Sequence, residues 1–177
     1  MENLKKELEI IFRESSKPEE LFDAFKRAID NKVEDLSVYK ILLGNIALNI
    51  DELKMYTEKI CDVFPNISSE ILHWSGSIIE SDPSNYNLET AFEYYKHSIE
   101  INSDNLPVYQ SLFNLYNPDI DYPPLSSIEK IIDKNLERVV QKSKYCRTVA
   151  SFYNKLDNPL MKNKFASLAA KFSRSGK

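Results

Sequence analysis

Two histidines, His73 and His97, and two cysteines, Cys61 and Cys146, are the residues of this 177-residue chain best suited by type to metal or nucleophilic chemistry. Neither histidine has a second histidine or a cysteine at helical spacing, and no H-E-x-x-H pattern occurs, so zinc-type ligation is not predicted. Cys146 stands among Lys144 and Arg147, whose charges would lower a thiol pKa and favour a reactive thiolate. A half-buried, inert cysteine is the plainer reading. Acidic pairs such as Glu19–Glu20 and Asp119–Asp121 have the residue types for acid–base work, but in an acid-rich chain they read as solvated faces. Phosphate cradles need clustered glycines, and glycine occurs only at positions 44, 76 and 176. No catalytic residue, metal or cofactor is therefore predicted, and the chain reads as non-enzymatic.

Surface chemistry is richer. Residues 1–128 hold 11 Lys/Arg against 23 Asp/Glu, a net of −12, and residues 129–177 hold 12 against 4, a net of +8. Two such ends attract different partners or each other, so self-association between acidic and basic ends is one expectation. The basic patch Lys142, Lys144, Arg147, Lys162, Lys164 and Lys171, with Lys155 and Arg174, interleaves with Tyr145, Phe152, Tyr153, Phe165 and Phe172. Cations with aromatics are suited to nucleic-acid backbone and bases, which makes RNA binding the alternative function. At helical spacing the same pattern also describes an apolar face beside a wet one.

The elements that must position these residues are helices throughout. Apolar residues recur at steps of three and four almost from end to end. "PEELFDAFKRAIDN" places Leu21, Phe22, Phe25, Ala28 and Ile29 on one stripe, with Pro18 where a first helical turn accepts it. Leu88, Ala91, Phe92, Tyr95, Ser98 and Ile99 form a second stripe behind a cap at Asn87. Short breaks such as "NKVED", "FPN", "SDPSN" and "NSDN" predict antiparallel helical hairpins. After the prolines of "NPDIDYPP", residues 117–124, a longer helix capped by Ser126 or Ser127 is expected, then two more helices separated by "DN".

The hairpins repeat. At an offset of 70 without a gap, "FKRAIDNKVEDLSVYKILLGN" from Phe25 lies on "YKHSIEINSDNLPVYQSLFNL" from Tyr95, with identities at Lys26/Lys96, Ile29/Ile99, Leu36/Leu106, Val38/Val108, Tyr39/Tyr109 and Leu42/Leu112. An offset of 32 puts Gly44 on Gly76, and the loop "ESDPSNYN" accounts for the longer second step. A period in the thirties marks a repeat array.

On these residues the chain resembles the tetratricopeptide repeat family. "LETAFEYYKHSIEINSDN" is similar to the second helix of such a unit, with Ala91, Tyr95 and Ser98 at its packing positions. "YKILLGNIAL" is similar to a first helix, with Leu43–Gly44 as the Leu-Gly pair, and Gly44 and Gly76 as points of close helix approach. The resemblance implies an all-α fold, an α–α superhelix of about ten helices arranged as antiparallel helical hairpins, spanning residues 1–177 as a single domain. Residues 1–17 would form an N-terminal helix, 18–118 the clearest repeats, 125–173 a basic degenerate repeat with a C-terminal capping helix, and 174–177 a frayed tail.

The resemblance also implies a protein–protein interaction module, a scaffold or adaptor whose concave groove takes a peptide or helix of another protein. Family geometry puts Val38, Ile41, Asn45 and Leu48 in that groove from one unit, Glu70, His73, Ser77 and Glu80 from the next, and Val108, Ser111 and Leu115 from the third. The carboxylate clamp found in some members is not matched, because Ile41 occupies the lysine position. No run approaches the ~20 apolar residues of a membrane span, and two unpaired-looking cysteines suit a reducing compartment, so a cytoplasmic, soluble chain is expected.

Overall fold

The computed structural model describes residues 2–82 and 87–175, so part of the expected "ESDPSNYN" loop and the last two residues of the expected tail lie outside the described residues. Among the described residues there are ten α-helices: α1 (Glu2–Glu14), α2 (Pro18–Asp30), α3 (Leu36–Leu43), α4 (Ile50–Val63), α5 (Ser68–Glu80), α6 (Leu88–Ile101), α7 (Leu106–Leu115), α8 (Leu125–Arg138), α9 (Lys142–Lys155) and α10 (Pro159–Ser175). The fold is all-α, with a short 3-10 turn at Pro65–Ile67 and one isolated bridge between Asn117 and Tyr122.

Local chemistry sets many of the boundaries. Pro18 opens α2, followed by Glu19 and Glu20 in the first turn, where carboxylates meet the positive end of the helix dipole. Asn49 and Glu52 form a reciprocal capping box on α4, both bonds at 2.9 Å. Asp35 caps α3 by accepting from the Ser37 N–H at 3.0 Å, and its other oxygen takes the Lys5 ammonium of α1 at 2.8 Å. The Lys5 and Ser37 hydrogen bonds hold the Asp35 carboxyl down at about 2. Neither Ser126 nor Ser127 caps α8. Both lie inside its first turn, and the Asp121 carboxylate accepts from the Leu125 N–H at 3.1 Å instead.

The chain divides into two compact units, unit 1 (Met1–Tyr94) and unit 2 (Tyr95–Lys177). The division falls inside α6, not at the proline-rich segment 117–124, because α7 packs against α9. Tyr109 meets Tyr145 edge-on at 4.9 Å, and Phe113 stacks on Phe152 at 4.6 Å. In unit 1, α3 lies between α1 and α5, and α4 packs on α5. Phe25 is the aromatic hub there, 4.6 Å from Tyr56 and 6.4 Å from Tyr39. Thr57 and Ser75 pair their buried hydroxyls across α4 and α5 at 2.6 Å, which satisfies two polar groups that would otherwise weaken the core.

The 70-residue duplication survives in three dimensions as register. It carries α2 onto α6 and α3 onto α7, and Val38/Val108, Tyr39/Tyr109 and Leu42/Leu112 are all fully buried. The expected stripes need two corrections. Phe22 is 47% exposed, since Ala24 takes the inward position next to Phe25. The helix expected to run through Leu48 stops at Leu43, because the Asn45 side chain accepts from the Ala47 N–H at 2.8 Å and offers the backbone a turn in place of another helical residue. Gly44 is then an exposed cap whose added Cβ would meet only the carbonyl oxygens of Lys40 and Ile41. It is not a point of helix–helix approach, and it is not equivalent to Gly76, which is buried within α5.

Duplicated positions are not duplicated environments. The Tyr109 hydroxyl donates to the Ser103 carbonyl at 3.1 Å, whereas the Tyr39 hydroxyl is buried with no hydrogen-bond partner among the described residues. Tyr39→Phe removes an unsatisfied polar group and should raise stability by about 1 kcal/mol, while Tyr109→Phe breaks a bond and should lower it by about 1 kcal/mol. Urea titration of the two variants checks this. The same sign for both would show that their hydroxyl environments are alike.

Candidate functional site

Because α3 is short and flanked on both sides, it shows little of itself to solvent. Its outward residues are Ser37, Lys40 and Ile41, and Gly44 follows as an exposed cap. A recess of about 460 Å³ opens beside its C-terminal end, lined by Phe12 and Arg13 of α1, by Lys40 and Ile41, and by Asn45 and Ile46 of the following loop. Ile46 is fully exposed at its rim. Across α3 on the α5 side, the Trp74 indole N–H donates to the Lys40 carbonyl at 3.2 Å, and the Lys40 ammonium lies 5.1 Å from the centre of the Trp74 ring. The indole is thus held by a hydrogen bond and by a cation–π contact, yet remains 37% exposed.

Burial, aided by the Lys40 charge, pushes the neighbouring His73 imidazole below its ordinary pKa against the opposing pull of Glu70. The lowered pKa favours the neutral imidazole near pH 7. The face around α3 therefore combines an exposed aliphatic residue, an oriented aromatic and one held cation, Lys40, with Arg13 and Glu14 beside the recess. Such a combination is suited by its chemistry to contact with apolar and polar side chains alike.

The structure separates the expected groove residues into three kinds. Val38, Val108 and Leu115 are buried in their units, so they pack the core and present no groove surface. Ile41 and Asn45 line the recess. Asn45 is already committed, its amide donating to the Phe12 and Ser15 carbonyls at 2.8 and 2.9 Å. Leu48 packs half-buried against the core of unit 1. Glu70, His73, Ser77 and Glu80 are half-buried along α5, and Ser77 donates to the His73 carbonyl at 3.0 Å. Ser111 is half-buried on α7 in unit 2.

In the basic segment, Lys144, Arg147, Lys162, Lys164 and Lys171 are exposed and Lys142 is half-buried. The aromatics between them are not at the surface. Tyr145, Phe152, Tyr153 and Phe165 are buried, and only Phe172 is partly open, beneath the Lys142 ammonium at 5.6 Å. Bases find no stacking platform in those four rings. Cys146 is buried too, and burial pushes its thiol up despite the opposing charge of Lys142, which agrees with the plainer reading of an inert cysteine and not with a reactive thiolate.

Unit 2 holds a second, smaller recess of about 230 Å³ between α7 and α9. Gln110 and Asn114 border it from α7, Thr148, Ser151 and Lys155 from α9, with the Phe113–Phe152 stack in its wall. The Lys155 ammonium is held across it by the Asn114 side-chain oxygen at 2.7 Å. Lys40 and Gly44 at the first recess correspond to Gln110 and Asn114 at the second under the 70-residue offset. Sequence reading passed over Trp74, Ile46 and this polar row. The available signal was the repeat itself, which carries recess-lining positions from one copy to the other.

Among the described residues no group of three or more His, Cys, Asp or Glu side chains converges, and no helix is long and apolar enough to cross a membrane. Compared with protein-family models, with curated proteins and with solved structures, the chain matches none of them.

Proposed function

We propose that this chain is a non-enzymatic, tetratricopeptide-like interaction module of the cytoplasm, an adaptor that docks a peptide or helix of another protein on the α3 face of unit 1. The observation that carries this reading is the pairing of a fully exposed Ile46 at the mouth of the α1–α3 recess with the clamped, partly exposed Trp74. Trp is among the residues most enriched in energetic centres of interfaces, and a ring already held in place loses little freedom when a partner covers it. The alternation of α3 between α1 and α5 supports the hairpin-repeat part of the reading.

Panning a random-peptide library against the whole chain tests it. Enriched peptides should share a motif and should lose about tenfold in affinity for Ile46→Asp and for Ile41→Glu. Failure of any peptide to enrich, or enriched peptides that bind both variants as well as the parent, would remove the unit 1 face from consideration.

A further inference from the structure

The carboxylates of unit 2 lie on α6, α8 and the connecting loops, and α7, α9 and α10 carry none. Unit 2 as a whole has 13 Lys/Arg against 8 Asp/Glu, a net of +5, whereas unit 1 has 10 against 19, a net of −9. The local surplus sits on α9 and α10, which hold four Lys/Arg each. On α9, the steps of three and four from Lys144 through Arg147, Thr148 and Ser151 to Lys155 form one open row. Gln110 and Asn114 of α7 stand across the recess from the lower part of that row.

We propose that the α7–α9 face of unit 2 binds an extended acidic peptide segment of a partner protein. This goes beyond the docking face of unit 1 and does not depend on it. Lys155 takes one carboxylate at the recess, and Lys144 with Arg147 takes another toward the N-terminal end of α9. Between them, the amides of Gln110 and Asn114 and the hydroxyls of Thr148 and Ser151 supply donors and acceptors for peptide backbone.

Geometry sets the spacing. From Lys144 to Lys155 the helix rises about 16 Å at ~1.5 Å per residue, and an extended chain covers that distance in about five residues at ~3.3 Å each. The ligand therefore carries two acidic side chains about five positions apart.

Charge complementarity favours an acidic peptide, and burial of Tyr145, Phe152, Tyr153 and Phe165 disfavours single-stranded nucleic acid, which needs open rings to stack on. A bilayer surface is disfavoured because the row Lys144, Arg147, Thr148, Ser151 and Lys155 contains no apolar residue to enter it. At ~0.1 M salt, charges more than about 10 Å away are largely screened, so the local cluster governs and the net −4 of the chain does not.

Calorimetric titration of the whole chain at ~0.1 M salt, where the distant acidic groups are screened, tests the proposal. The probes are synthetic Ser/Gly peptides bearing two glutamates at separations that increase from neighbouring positions outward, and a single-stranded oligonucleotide of similar length. Affinity should peak at a separation near five residues. It should fall about tenfold with Lys155→Gln and with the Lys144→Gln/Arg147→Gln pair, and stay unchanged with Lys59→Gln, an exposed lysine of α4 that borders neither recess. These are exposed positions, and unchanged melting of the variants confirms that folding is intact. Absence of peptide binding, indifference to spacing, or equal binding by the Gln variants overturns the proposal. Tighter binding of the oligonucleotide reassigns the face to nucleic acid, and a dimer of the peptide-free chain dissolved by Lys155→Gln reassigns it to a second copy.

Discussion

Phe152→Ala should lower the stability of unit 2 by about 3–5 kcal/mol, the range for deleting a buried aromatic side chain. Phe152 is buried on α9, stacked at 4.6 Å on Phe113, with Tyr153 at 5.4 Å and Tyr116 edge-on at 5.9 Å. Each ring pair adds roughly 0.5–1.5 kcal/mol beyond the area it buries. The rings around it belong to α7 and α9 and to Tyr116 just after α7, so no single helix is able to close the space left behind. Against a total stability of ~5–15 kcal/mol for an ordinary domain, such a loss leaves little reserve. Urea unfolding of the whole chain, followed by far-ultraviolet circular dichroism, measures it. A loss under about 1 kcal/mol would mean that the α7–α9 stack is peripheral and that unit 2 is held together elsewhere.

Asn45→Ala should cost about 2–3 kcal/mol, an unusually large effect for a loop residue at the edge of a recess. Its amide caps two carbonyls at the C-terminal end of α1, those of Phe12 and Ser15, and its oxygen accepts from Ala47. Helix C-termini leave carbonyls without intrahelical partners, and each bond lost here removes about 0.5–1.5 kcal/mol. The expected signature is a lower urea midpoint. If stability instead stayed constant while affinity for peptides selected on the chain collapsed, Asn45 would be a ligand-contacting residue and not the strap that joins α1 to the α3–α4 loop.

How far sequence carried the reading can be judged from three residues. Tyr39 is legible as a repeated position, identical to Tyr109 at the 70-residue offset, and the structure buries both. Asn45, expected within a helix running on to Leu48, lies past the end of α3, and its partners, Phe12 and Ser15, are about thirty positions away in the chain. A side chain that ends a helix looks the same in sequence as one that continues it until those carbonyls are in place. Phe152 fits two readings in sequence, a ring among surface lysines or an apolar face beside a wet one, and α7 decides for the second by covering it. Lateral packing between helices joined by a long path decides which rings are open, and no period in the sequence encodes that choice. The position of the unit boundary inside α6 has the same origin.

The hold of Lys40 on Trp74 has an optical consequence. Trp74 is the chain's one tryptophan, its N–H is fixed to a main-chain carbonyl, and an ammonium stands over its ring. Indole emission shifts to shorter wavelength when water is excluded and responds to nearby charge. A ligand that covers that ring or draws off that ammonium would change the emission. The molecule thus carries an intrinsic, label-free reporter beside Lys40, with no second tryptophan to obscure the signal.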